Sequence, residues 1–371
     1  MNVSRAPVLW SLSNRSGSLF QKPLFAALNL EGDALAVCSP ASVALSDFNE
    51  RGKLLMAPPT LDRLTSMPSF LAAAPVARYQ LKQLLRKKAE LVHVTMGSPI
   101  DAFYLAAAKS ATIPVVMTIH DNARHLGEGS RILDVLDRLT LRYVDHVVTV
   151  SDFVFDEVQR NIKNKPVHVV SDGLLTRDQQ GLPPRAAMHV PARILFLGRI
   201  HEYKGLEMLL QSLDILDGKG ASTALTIAGS GDLEPYAAAL AKRPQTRIIN
   251  HWIDDATILE LLKEQDILAL PYLEASQSGI AIDAQWAAMP AVATPVGALP
   301  QQFSAGKAAL ICSDVSAEAF ADSLLELLNS QGLYSTLSKG AYNAYRDKDL
   351  ITVARKWRDF YASLDMAKGQ E

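Results

Sequence analysis

The chain has 371 residues, enough for two α/β domains of ordinary size, and at 49% hydrophobic and 20% charged it has too much apolar surface to stay disordered. Lysine and arginine number 37 against 39 aspartates and glutamates, a net charge of −2 that argues against a dedicated nucleic-acid binder, because phosphate backbones demand a basic surplus. Two cysteines, Cys38 and Cys312, lie far apart in apolar runs, so buried free thiols are expected, with neither a disulfide nor a metal site.

Met1 to Pro7 lacks a charged-then-apolar leader, and no window reaches about 18 uninterrupted apolar residues, so a cytoplasmic chain that does not span a membrane is expected. Short apolar runs then alternate with helical stretches, the grammar of parallel sheets covered on both faces. Strands are expected at Val8–Ser13, Ala34–Ser39, Leu91–Met96, Pro114–Asp121, His146–Ser151 and Pro166–Ser171, each too short for a helix and edged by turn-forming residues. Helices are expected at Val76–Lys88, Asp101–Ser110 and Ile132–Tyr143, and loops at Asn14–Gln21 and Ala57–Ala74. Val76–Lys88 sets Arg78, Lys82, Arg86, Lys87 and Lys88 among Val76, Tyr79, Leu81, Leu84 and Leu85. Such a basic amphipathic helix either docks peripherally on an anionic membrane or packs on its own sheet with solvated lysines.

Gly181 to Pro191 holds three prolines and neither helical nor strand period, which marks a linker. The same grammar then restarts, with strands expected at Arg193–Arg199, Ala224–Gly229, Arg247–Asn250, Asp266–Pro271, Ala291–Thr294 and Ala308–Cys312. From Ala317 to Leu364 the pattern is helical, and Trp357, Phe360, Tyr361 and Leu364 give the last helix an apolar face. The organisation read from this is an N-terminal domain over 1–180, a linker over 181–192, a second domain over 193–345, and a terminal helix over 346–371 that caps the second domain or crosses back to the first. The fold class is α/β, with two Rossmann-like parallel-sheet domains facing across a cleft. Ligands of such sheets bind beyond the carboxyl ends of the strands.

The strongest local signal is Phe196 to Gly205, where Arg199 ends a strand and Lys204 sits at the entrance of the helix Leu206–Leu216. Two cations beside unpaired helix-end N–H groups suit a diphosphate, although ordinary surface charge gives the same pattern about as often. Tyr203 stands where a nucleotide-binding P-loop requires glycine, so it is not a P-loop. A second signal is the Ser-Gly entry at Ser278 and Gly279 into the helix Ile280–Met289, with Asp283 read in its first turn. A carboxylate there either complements the helix dipole or accepts hydrogen bonds from a ribose. In the first half, Met117 to Asp121 ends a strand in His120 and Asp121, followed by Asn122, His125 and Glu128. Metalloprotease spacing is absent, so ligand contact or a satisfied polar residue is favoured over zinc. Gly229-Ser-Gly231 lacks the third glycine of a dinucleotide fingerprint, and Asp347-Lys-Asp349 reads as a solvated turn.

Taken together, the arginine/lysine-glycine loop, the Ser-Gly helix entry and the strand-end His-Asp resemble those of the GT-B retaining glycosyltransferases of family four (group 1). The resemblance runs over essentially the whole chain and is most specific at Arg193–Gly205 and Glu274–Pro300. It implies a nucleotide-diphosphate sugar donor held mainly by the second domain, and a carbohydrate or lipid-linked acceptor held mainly by the first. On that resemblance Arg199 and Lys204 neutralise the leaving diphosphate and Asp283 holds the ribose. The backbone of Ser278, Gly279 and Ile280 faces the sugar and phosphates, His120 contacts the donor sugar, and a loop around Gly17 closes under the reaction centre. No metal and no cofactor are implied. The family's typical pair of glutamates is imperfect here. Its second position is Asp283, the first falls on Ala275, and either Glu274 or Gln277 takes over that contact. The leading expectation is therefore hexose transfer in bacterial surface polysaccharide or glycolipid assembly. A nucleotide-sugar epimerase of the same fold and a non-catalytic nucleotide-sugar-binding subunit are the alternatives.

Overall fold

The computed structural model describes residues 5–13, 15–30, 32–60, 67–120, 131–170, 181–304, 307–346 and 348–366. The chain divides into two compact units, the first formed by residues 1–123, 128–178 and 350–371, the second mainly by 179–349. In the first unit the strands are β1 (Ala6–Ser11), β2 (Leu35–Cys38), β3 (Leu54–Met56), β4 (Ala89–Met96), β5 (Val115–Ile119), β6 (His146–Thr149) and β7 (Val167–Val169). They form one parallel sheet in the order β3-β2-β1-β4-β5-β6-β7. Val8, Leu9 and Trp10 are consecutive and all fully buried, which an alternating one-sided strand could not achieve, so both faces of the sheet are covered.

In the second unit β8 (Ala192–Leu197), β9 (Thr223–Ala228), β10 (Arg247–Ile249), β11 (Ile267–Leu270), β12 (Ala291–Ala293) and β13 (Ala309–Ile311) form a second parallel sheet. Its order is β10-β9-β8-β11-β12-β13. Its core sets Ile194, Phe196 and Ile227 of the sheet against Leu209, Leu213 and Leu324 of the covering helices. The segment before β8 is irregular, as its prolines foretell, but it is pinned down. Arg185 donates to the carbonyls of Gln265, Leu262 and Ala287, and the Leu182 N–H to that of Trp286.

The last helix, Leu350–Met366, belongs to the first unit. Val353, Trp357, Tyr361 and Leu364 recur at helical spacing, are buried, and pack with Leu24, Phe25 and Leu28 of the helix Arg15–Leu28 and with Leu9 and Val116 of the sheet. The polar atom this brings inside is satisfied: the Tyr361 hydroxyl lies 2.7 Å from Nδ1 of His93, whose Nε2 lies 2.7 Å from the Thr118 hydroxyl. Burial pushes the His93 pKa down from 6.5 to about 3, so the ring in this chain of contacts is neutral.

Three local expectations are corrected. Residues 15–28 are helical where a loop was read, and a second helix starts at Met67, inside the other expected loop, and runs to Lys88. Pro23 and Pro75 lie within these helices and punctuate the sequence without ending them. Buried faces such as Leu24, Phe25 and Leu28, or Ala74, Ala77, Leu81 and Leu85, outweigh the local propensity. Strand β3, three half-buried residues at a sheet edge, shows no readable period.

Candidate functional site

Strand order in the second unit reverses between β8 and β11. The crevice at such a reversal, past the carboxyl ends of the strands, is where open parallel sheets hold ligands. The loops leaving those two strands, Gly198 to Gly205 and Pro271 to Gly279, are locked to each other. The Leu273 N–H donates to the Tyr203 carbonyl at 2.8 Å. Gly205 holds φ at +69°, and any Cβ there would fall on the Pro271 carbonyl oxygen, so both its conformation and its surroundings demand glycine. Gly297, at φ +55°, presses in the same way on the carbonyl of Ala275.

This locked pair of loops gathers the two cations around buried tyrosines. The Arg199 guanidinium donates to the Tyr203 hydroxyl at 2.9 Å. The Lys204 ammonium lies 3.7 Å from the centre of the Tyr272 ring and 5.0 Å from that of Tyr203, in cation–π range of both. Tyr203 and Tyr272 are 3% and 1% exposed, so they form a fixed floor, whereas Arg199 is exposed and Lys204 half-buried. No local pattern in the chain marks this floor. Tyr203 entered only as the residue that excludes a P-loop, and Tyr272 not at all.

The second set of donors opens the helix Gly279–Trp286, with Ser278 as its N-cap residue. The Ser278 side chain does not cap. Its hydroxyl lies 3.2 Å from that of Tyr272. Gln302 clamps the Ser278 backbone at both ends, accepting from its N–H at 2.8 Å and donating to its carbonyl at 3.1 Å. The Gly279 and Ile280 amides lie in the first helical turn, where backbone N–H groups have no intrahelical acceptor, the setting in which helix starts bind anions. Asp283 is the fifth residue of this helix, in its second turn and half-buried, which corrects the expected first-turn position and weakens the helix-dipole account of the carboxylate. Glu274 is exposed and Gln277 half-buried on the same loop. Arg199, Lys204, Glu274, Gln277, Ser278, Gly279, Ile280 and Asp283 thus belong to one unit, and most of them to two interlocked loops.

His120 and Gly17 belong to the first unit. His120 follows β5, is 8% exposed, and its Nε2 lies 2.7 Å from the Thr95 carbonyl of the neighbouring strand, which requires the proton on that nitrogen. Gly17 lies within the helix Arg15–Leu28, not in a loop, which corrects its expected setting. Asp121, Asn122, His125 and Glu128 fall outside the described residues. A buried carboxylate that the sequence reading passed over sits beyond β4. Asp101, fully buried, accepts from the Trp10 indole at 2.8 Å and from the Ser98 N–H at 2.6 Å. Burial raises its pKa from 3.8 to about 7 against these two hydrogen bonds. Among the described residues no group of three or more His, Cys, Asp or Glu could hold a metal ion. Lys348, read as part of a solvated turn, is only 7% exposed, and its ammonium donates to Gln285 Oε1 at 2.8 Å.

Comparison with known proteins places this geometry in context. A family profile described as "Glycosyl transferases group 1" matches residues 191–330, and one described as "Glycosyltransferase Family 4" matches residues 26–176, together well over half of the chain. A glycogen synthase of Mycobacterium tuberculosis is 25% identical over 281 residues, 72% of this chain and 67% of that protein. A D-inositol 3-phosphate glycosyltransferase of Mycobacteroides abscessus is 28% identical over 248 residues, 62% of this chain and 53% of that protein. Among solved structures, Alr3699/HepE of Anabaena, crystallised with UDP-glucose, superposes with a TM-score of 0.72 at 12% identity, covering 97% of this chain and all of that one. Sucrose-phosphate synthase of Thermosynechococcus elongatus gives 0.69 at 13% identity over 98% of this chain, again a likeness of fold.

Proposed function

This chain belongs to the family 4, group 1 glycosyltransferases and has their GT-B fold, and on that premise we propose that it transfers a hexose from a nucleoside-diphosphate sugar to a carbohydrate or lipid-linked acceptor. One observation carries this reading: two cations and a helix start converge on the two loops that flank the strand-order reversal of the second sheet. Departure of a nucleoside diphosphate concentrates negative charge on its phosphate oxygens. Arg199, Lys204 and the Gly279 and Ile280 amides are fixed before that charge develops, so they stabilise the transition state more than the ground state. Asp283 takes the ribose hydroxyls, Glu274 or Gln277 the sugar, His120 contacts the donor sugar, and the helix start holding Gly17 closes under the reaction centre. We assign retention at the reacting carbon. The bond from the sugar carbon to the phosphate oxygen breaks, the acceptor oxygen bonds on the same face, and the acceptor proton passes to the departing phosphate oxygen, so no protein base is needed. The cations supply the charge a divalent metal would otherwise bring.

Among the described residues no helix is long and apolar enough to cross a membrane. The helix Met67–Lys88 nevertheless exposes Leu71, Val76 and Tyr79 to about 60%, carries five basic residues and no acid, and ends in Arg86, Lys87 and Lys88. We assign to it peripheral contact with anionic lipid, which suits a lipid-linked acceptor and a role in bacterial surface polysaccharide or glycolipid assembly.

The test is release of nucleoside diphosphate from candidate donor sugars, with and without acceptor. Acceptor-dependent release is expected, and Lys204→Ala should lower kcat by about a hundredfold or more, the usual loss when one preorganised charge-stabilising donor is removed. Conversion of the donor into its epimer without net release would point to an epimerase, and donor binding without turnover to a non-catalytic subunit.

A further inference from the structure

Behind the donor loops runs a buried polar chain that the proposed reaction does not itself use. The Lys348 ammonium donates to Gln285 Oε1 at 2.8 Å and reaches the Gln302 carbonyl at 3.4 Å, and Gln285 Nε2 donates to that same carbonyl at 2.6 Å. The side chain of Gln302 then holds the Ser278 backbone from both sides, the Ser278 hydroxyl meets Tyr272, and the Tyr272 ring carries Lys204. Lys348, Gln285, Gln302, Ser278 and Tyr272 are each less than a tenth exposed. The chain begins two residues before Leu350, where the polypeptide leaves the second unit to build the last helix of the first.

Burying a lysine is costly, and a glutamine oxygen and a backbone carbonyl would not both be committed to one for packing alone when an apolar side chain would fill the space. A planar carboxamide that engages both the N–H and the C=O of one residue fixes the plane of that residue's backbone, and here that residue orients the two amides that follow it. We propose that Lys348, acting through Gln285 and Gln302, is a positioning residue for the phosphate-binding loop, so that the crossing segment at 348–350 holds the Gly279 and Ile280 amides and, through Tyr272, the Lys204 ammonium at one fixed geometry. This deepens the reading of the donor site and rests on it for its catalytic consequence, but its structural consequence can be measured without any ligand.

The experiment compares Lys348→Met, which keeps the length of the side chain and removes its donors, Lys348→Arg, which restores a donor, and Gln302→Leu in the full-length protein. Hydrogen exchange of the unliganded protein is read first. The two disruptive variants should speed exchange in the segment 272–286 while β8 and β9 keep wild-type protection, and Lys348→Arg should recover most of the protection. UDP affinity is read second by calorimetry. It should weaken about tenfold in Lys348→Met, the size expected for losing one hydrogen bond to a charged group, with Lys348→Arg close to wild type. Wild-type exchange in the segment 272–286 of both disruptive variants would overturn the proposal, as would uniform loosening of the whole second unit. Failure of the wild type itself to bind UDP or any other nucleoside diphosphate would count against the donor-site reading and leave the exchange result to decide the relay.

Discussion

The two cations are held in place by residues that carry no charge. Gly205 lets the β8 loop turn at positive φ directly under the Pro271 carbonyl, and that contact keeps Lys204 over the Tyr272 ring. Gly205→Ala places a methyl group where that oxygen sits, so one loop must move. The expected outcome is a drop in Tm of several degrees together with loss of nucleoside-diphosphate binding, read by thermal unfolding with and without UDP. A variant that keeps wild-type ligand stabilisation would show that the locked loops do not set the site. That Arg199, Lys204, Ser278, Gly279 and Asp283 lie near one another in the second unit could be expected from sequence, because charge, Ser-Gly and strand ends follow local rules. Tyr272, Gln302 and Lys348 were not, because what makes them matter is burial against residues far along the chain. Lys348 was misread for a physical reason: a lysine between two aspartates has the composition of a solvated turn, and only tertiary contacts reveal that its ammonium points inward.

At the scale of elements, the two sheets were read nearly strand for strand, because strands buried on both faces write uninterrupted apolar runs into the sequence. The helices holding Pro23 and Pro75 were lost or cut short, since their stability comes from packing and not from propensity. The second of these, Met67–Lys88, leaves an apolar and basic outer surface. Replacing Lys82, Arg86, Lys87 and Lys88 together by Glu should abolish co-flotation with vesicles containing phosphatidylglycerol and leave the fold intact by circular dichroism. High salt should weaken wild-type flotation, because basic residues contribute about 1 kcal/mol each near an anionic surface and that attraction is screened. Equal flotation of wild type and variant would remove this helix from the lipid contact.

For the molecule as a whole, two buried groups of the first unit pull its pH response in opposite directions. The pKa of His93 is depressed to about 3 against an ordinary 6.5, so the folded state binds fewer protons in that interval and stability drains away as pH falls through it. The pKa of Asp101 is raised to about 7 from 3.8, so the folded state holds the extra proton between those values and the associated stability drains away as pH rises across that interval. The two contributions nearly cancel between about pH 4 and 6.5, so urea midpoints measured from pH 4 to 8 should rise with pH over that interval in Asp101→Asn and fall with pH in His93→Gln, relative to wild type. Variants that keep the wild-type pH dependence would mean that neither group titrates as its burial requires.

The route of the chain sets the order in which the molecule is completed during translation. The second unit is one nearly continuous stretch and has been synthesised in full before the residues of the helix Leu350–Met366 are made. The first unit, begun earlier, must wait with the groove for Trp357 and Tyr361 uncovered and the His93 ring short of its tyrosine partner. Synthesis therefore delivers the closing piece of the older half only after every piece of the younger one.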